Sequence, residues 1–307
     1  MVHSDSMGRT RPNPTASVNM VLRPFLSFGV ERMKWLTLAV ILMAAVLLIV
    51  GICIVWAVPQ SNTEAIERAE SVAPIGNQYE WRYVNMNGMI VWDTFTIPEE
   101  LSDGFRSDFL DSMHRNKLRT LNALNGFNPY TFVEADDKYV KFIANHILDV
   151  TDGYDELARA TAIFNFVNTA ISYNTDDNLF GMEDYVLHPM ETLYLHSGDC
   201  EDSSILLVSL FKACGYEAVL VDFVGHVGSA VKLSSDRARG ESYELSDGRY
   251  FYCESAANDR RDIGAIDSRF AEEEPHFWTS GETLLYGYLA QYVFASYREV
   301  IWRMFAI

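Results

Sequence analysis

A cysteine, a histidine and a glutamate, met in that order, are the residues of this chain best placed to do chemistry. Cys200 follows the turn Gly198-Asp199 and opens the run Glu201-Asp202-Ser203-Ser204-Ile205-Leu206-Leu207-Val208, which reads as an amphipathic helix. Asp199 is a natural N-cap, so Cys200 falls in the first helical turn. There, unpaired backbone N–H groups and the positive end of the helix dipole favour a thiolate, although Glu201 and Asp202 push the other way. His226 lies 26 residues on, flanked by Gly225 and Gly228, where a base could approach a thiol closely. Glu254, 28 residues further, ends the aromatic strand Tyr250-Phe251-Tyr252-Cys253. A carboxylate buried there needs a partner, and an imidazole N–H would fix the ring so that its other nitrogen faces Cys200. Cysteine, base and orienting carboxylate form the arrangement of a thiol acyl-transfer site.

The elements that must position these residues are legible from periodicity. The central helix is predicted from Cys200 to about Cys214, ended by Gly215, with Cys200, Ser204, Leu207, Phe211 and Cys214 on one face. A second helix starts near Asp155, where Leu157, Ala160, Phe164, Val167 and Ile171 repeat at steps of three and four. Asp136 to Asp149 has a similar spacing, and Glu99 to Asn122 reads as mainly helical. Strands are predicted at Glu217–Phe223, His226–Leu233, Glu241–Leu245 and Arg249–Ser255, the last two joined at Asp247-Gly248. Upstream, Tyr79–Val84 and Met89–Ile97 alternate on either side of Asn87-Gly88, a hairpin signal. Helices followed by an antiparallel sheet packed on the nucleophile helix make an α+β layout.

Residues 35–58 are 24 in number and carry no charge, with Trp35 and Trp56 near the ends. At about 1.5 Å per residue they span a hydrocarbon core of roughly 30 Å, so one transmembrane helix is expected. A cleaved signal peptide fits less well, since the preceding 34 residues and the apolar run are both too long for one. Arg9, Arg11, Arg23, Arg32 and Lys34 precede the run, which keeps residues 1–34 cytosolic and exports the remainder. The chain carries a net charge of −18 despite this basic leader. An exported body so acidic repels phosphate backbones, which argues against nucleic-acid partners. The expected division is 1–34 cytosolic, 35–58 transmembrane, 59–78 linker or stalk (with a helical continuation through Glu64 to Ser71 as the alternative), 79–154 hairpin and helical part, 155–275 catalytic core and 276–307 C-terminal helix. Of four cysteines, Cys53 lies in the apolar run; Cys214 and Cys253 are either a pair or two buried thiols.

The blocks Pro189-Met190-Glu191-Thr192-Leu193, Gly198-Asp199-Cys200-Glu201-Asp202, Gly215-Tyr216, Gly225-His226-Val227 and Tyr252-Cys253-Glu254-Ser255 together resemble the transglutaminase-like superfamily. Within it, the chain is similar to a branch of membrane-anchored microbial, chiefly archaeal, proteins. The resemblance covers roughly residues 79 to 270 and is strongest from Asp155 to Ser255. It implies a papain-like thiol fold in which Cys200 is the nucleophile, His226 the base and Glu254 the orienting carboxylate. It further implies a cysteine-dependent acyltransferase or hydrolase acting on proteins or peptides outside the cell through a thioester. Many members carry Asp at the third position and another residue after the histidine, so Glu254 and Val227 depart from the pattern. No cofactor is expected. Asp136-Asp137, Asp176-Asp177 and Glu272-Glu273-Glu274 are the acidic clusters open to Ca²⁺, which some relatives use, against the plainer reading of solvated pairs. The alternative to an enzyme is a module that keeps the fold for binding at the cell surface without turnover.

Overall fold

The computed structural model describes residues 41–43, 45, 63–115, 128–182, 185–256 and 262–279. The chain divides into two units, Met1–Pro59 and Gln60–Ile307. In the first, the described residues Ile41–Met43 and Ala45 are helical; most of the predicted span 35–58 lies outside the described residues. Among the described residues no helix is long and apolar enough to cross a membrane.

The second unit begins with helix α1, residues 63–72, in the stretch read as a stalk. That reading needs correction: Ala65, Ile66 and Ala69 share one helical face and are buried in the main core. Strands β1 (Gln78–Val84) and β2 (Ile90–Thr96) pair antiparallel with Val84 opposite Ile90. The turn is not a two-residue Asn-Gly turn. Asn85 and Met89 close a three-residue loop, in which Gly88 takes φ +77° and donates to the Asn85 carbonyl at 2.8 Å. The Asn85 side chain adds bonds to the N–H groups of Asn87 and Met89. Tyr79 and Trp81 are fully buried on the inner face, and the Tyr79 hydroxyl donates to the Leu193 carbonyl at 2.9 Å.

Helix α2 (Glu99–Arg115) follows, then a 3₁₀ turn at Pro129–Phe132. Helix α3 (Lys138–Val150) is capped by the Asp137 side chain, and α4 (Glu156–Ala170) by Asp155. Short elements come next: β3 (Ser172–Tyr173), α5 (Asp176–Phe180), α6 (Pro189–Leu195) and β4 (Ser197–Gly198). Helix α7 (Cys200–Ala213) is buried on nearly every side, from Asp202 to Phe211. It packs on α3, α4 and α6, and on the two strands that follow it.

Those strands are β5 (Ala218–Phe223) and β6 (His226–Lys232), joined by β7 (Ser242–Leu245), β8 (Gly248–Cys253) and β9 (His276–Trp278). The sheet order is β7-β8-β6-β5-β9, and every neighbouring pair is antiparallel. Mixed helices on one antiparallel sheet are the α+β architecture expected. β9 corrects the predicted helix over 276–307 at its start. Its Phe277 lies opposite Val221, and the Trp278 indole N–H donates to Asp222 at 3.2 Å. Three aromatic-rich residues gain more by closing the open edge of β5 than by starting a helix. The rest of that stretch, from 280, lies outside the described residues.

The main apolar core runs from Ala65 through the hairpin and helices to Trp278, and a second, smaller cluster gathers Val219, Val221, Phe223, Tyr252 and Phe270 on the sheet. The hairpin and the segments after 155 are therefore not separate layers. Trp81 meets Phe166 of α4 edge-on at 5.8 Å.

Candidate active site

The site is built where α7 begins. Gly198 leads in, and a Cβ there would stand 2.7 Å from Cβ of Asp202, so only glycine fits against that side chain. Asp202 is fully buried and accepts N–H bonds from Leu187 at 2.7 Å and Asp199 at 3.3 Å. Two strands of chain are thus tied to one carboxylate, and Cys200 is held as the first residue of the helix. Burial and the neighbouring Asp176 and Glu201 push the Asp202 carboxyl well above its usual range.

The sulfur of Cys200 donates to Glu201 Oε2 at 3.1 Å. No hydrogen bond joins it to His226. Its pKa is raised rather than lowered: burial comes first, then the charges of Glu201 and Asp199, while a bond from the Val227 backbone opposes them. This overturns the expectation of a resting thiolate. A helix dipole is equivalent to about half a charge, which does not outweigh burial beside two carboxylates. Cys200 rests as a thiol.

His226 opens β6 after the turn Val224-Gly225, where Gly225 takes φ +75°. Its Nε2 lies 3.0 Å from Glu254 Oε2, with both side chains nearly buried. The ring lies flat against Phe270, centroids 4.6 Å apart and planes 6° from parallel. Glu254 follows the last residue of β8 and is 4% exposed. Burial alone would push its carboxyl up; bonds from His226, Tyr252 and the Ala256 N–H outweigh that and hold it below the usual value.

Histidine and glutamate are therefore brought together. The helix that opens with Cys200 reaches them through Ser204, one turn beyond Cys200, whose hydroxyl contacts the carbonyl of Val227, the residue after His226, and Ser255 Oγ, both at 2.9 Å. It joins α7 to the start of β6 and to the residue after Glu254.

Sequence reasoning missed Ser204, Ser255, Tyr252, Phe270 and the anchoring role of Asp202. Ser204 and Tyr252 had a usable signal, being four residues from Cys200 on a helix and two from Glu254 near a strand end. Phe270 had none, since it arrives from a loop.

Among the described residues, Asp199, Cys200 and Glu201 are the cluster whose ligand atoms lie within 4.8 Å of one another. The acidic clusters considered for Ca²⁺ make protein contacts. Asp136 pairs with Lys141, Asp137 caps α3, Asp176 accepts the Tyr185 N–H, and Glu273 accepts that of Val224. Cys200, Cys214 and Cys253 are free thiols.

The sequence profile of the transglutaminase-like superfamily matches residues 144–279. This part of the chain is a transglutaminase-like domain. The match takes in α4 to β9 and so contains Cys200, His226 and Glu254. It stops short of α1 and the β1–β2 hairpin, which nonetheless share the core of the transglutaminase-like domain. No curated protein matches the chain. Members of the superfamily are in general cysteine-dependent acyltransferases or proteases, a chemistry for which the site holds the residue types.

Proposed function

We propose that the protein is a thiol enzyme that cleaves or transfers amide acyl groups through Cys200, His226 and Glu254. We further propose that residues 35–58 anchor it in a bilayer, with the transglutaminase-like domain on the extracytoplasmic side and proteins or peptides as substrates. The observation that supports the catalytic reading is the His226–Glu254 bond of 3.0 Å, made beside the helix start that carries Cys200.

The chemistry follows from which nitrogen is engaged. Nε2–H donates to Glu254, so Nδ1 is the acceptor left for the thiol proton. Cys200 rotates away from Glu201, its proton passes to Nδ1, and the sulfur attacks the carbonyl carbon. The oxyanion forms near the first-turn N–H groups of α7, beginning with that of Cys200, which have no intrahelical partner. The C–N bond then breaks, and the imidazolium gives its proton to the departing amine or ammonia. The thioester is resolved by water in a hydrolase or by an amine in a transferase.

One observation favours the second reading, a binding module without turnover: the sulfur is bonded to Glu201 and its pKa is raised. The test is to incubate the full chain with glutamine-containing peptides, with and without an added primary amine. Ammonia release lost in Cys200→Ala is the expected result. Equal release by wild type and Cys200→Ala would overturn the enzymatic reading. Amine incorporated into peptide marks a transferase, and free acid marks a hydrolase.

A further inference from the structure

We propose that Tyr252 is a positioning residue for the histidine–carboxylate pair, its hydroxyl holding Glu254 ionised and turned toward His226. The inference rests on the catalytic reading above. Tyr252 lies on β8 opposite Ala230 of β6, with its ring fully buried. Its hydroxyl donates to Glu254 Oε2 at 3.0 Å and stands 3.3 Å from His226 Nε2. One carboxylate oxygen thus receives both the phenol and the imidazole, while Oε1 takes the Ala256 N–H at 3.2 Å.

The space for the phenol is made on the neighbouring strand. A Cβ at Gly228 would stand 2.5 Å from the Tyr252 hydroxyl oxygen and 2.6 Å from its Cε2. Gly228 has no positive φ, so steric room for this ring, rather than backbone conformation, demands glycine there. The two residues therefore act as one device: glycine on β6 admits a tyrosine from β8 beneath the histidine two residues before it. Burial and the Glu254 charge push the phenol's own pKa up, so it stays a neutral donor.

A buried carboxylate that loses one of three donors is less well satisfied and takes a proton more readily. Once neutral, Glu254 no longer balances an imidazolium. Phe270 and Phe223 also face the pair and do not titrate; among the described residues the titratable groups nearby are Tyr243 and Cys253, whose pKa values burial raises, so both stay neutral.

The test is histidine-selective ¹³C NMR of the full chain as a function of pH. The His226 signal is assigned by its loss in His226→Ala, and its acid-side inflection reports protonation of Glu254. Tyr252→Phe is expected to raise that inflection by about one pH unit, a tenfold change in proton affinity. Gly228→Ala, which crowds the phenol out, should move it the same way. Glu254→Gln should remove it. An unmoved inflection in Tyr252→Phe, with Glu254→Gln still removing it, overturns the role of Tyr252 and leaves the triad standing. An inflection that survives Glu254→Gln overturns the pair beneath, and this inference with it.

Discussion

Among the described residues three histidine–carboxylate pairs occur, His226–Glu254, His146–Asp93 and, at 3.1 Å, His188–Glu134; the first two share nearly the same design, and the difference between them is instructive. At the domain's centre, His226 bonds Glu254, the carboxylate takes a second bond from the Tyr252 hydroxyl, and Phe270 lies against the ring. At the hairpin, His146 bonds Asp93 at 2.6 Å, the carboxylate takes a second bond from the Trp81 indole at 2.9 Å, and Phe95 lies 3.9 Å from the ring. Both are half-satisfied by aromatic donors and held by a phenylalanine. The first lies by the helix that opens with Cys200, whose Ser204 hydroxyl bonds the Val227 carbonyl. Among the described residues, His146 bonds to no hydroxyl or thiol, whereas His226 stands 3.3 Å from the Tyr252 hydroxyl and precedes the residue held by Ser204. A histidine–carboxylate pair by itself is a clamp between elements; the proposed chemistry requires a nucleophile at its open nitrogen.

Substitutions at the two histidines and at Cys200 have different expected outcomes. Cys200→Ala should lower amide turnover by at least about 10³-fold while the melting temperature stays within a few degrees. Turnover within tenfold of wild type would show that the thiol is not the nucleophile. His226→Ala should cost about 10²–10⁴-fold in turnover. His146→Ala should leave turnover within about threefold and instead lower the melting temperature, because it unpins α3 from β2. Equal losses of turnover in the two variants would erase the distinction between the pairs.

Acid should separate the pairs as well. The folded pKa of Glu254 is depressed, so its contribution to stability is full above the ordinary carboxylate pKa and lost as pH falls through the lower folded value. Glu254→Gln should flatten the fall in melting temperature between about pH 5 and pH 3 relative to wild type. An unchanged slope would mean that Glu254 is not the group sensed.

The smallest effect concerns the resting thiol. Iodoacetamide should label Cys200 slowly at neutral pH, followed site by site with mass spectrometry. Glu201→Gln removes a negative charge and weakens the acceptor on the sulfur, so it should speed labelling about 3–10-fold at fixed pH. No acceleration would show that Glu201 does not hold the proton in place.

Much of this architecture was legible. The three-and-four spacing after Asp155 gave α4, the apolar run after Cys200 gave α7, and alternation around Asn87-Gly88 gave the hairpin. Each is a local pattern in which residues a few positions apart share a face. The stretch before Gln78 was harder because its buried face is only Ala65, Ile66 and Ala69, two of them small, set among polar neighbours. β9 was illegible for a different reason. Its three residues become a strand only because β5 offers an open edge more than fifty positions earlier.

For the site, order and residue type were set by the chain alone: cysteine at a helix start, histidine at a strand start, glutamate at a strand end. The tertiary structure decided the rest. It chose the nitrogen that faces Glu254, slid Tyr252 into the space of Gly228, laid Phe270 on the ring and hung Asp199 and Glu201 around the sulfur. Those outcomes fix the protonation of Cys200 and Glu254, and they depend on burial and on charges from other elements. Spacing along a chain encodes which residues share a face; it does not encode the polarity of what closes over them.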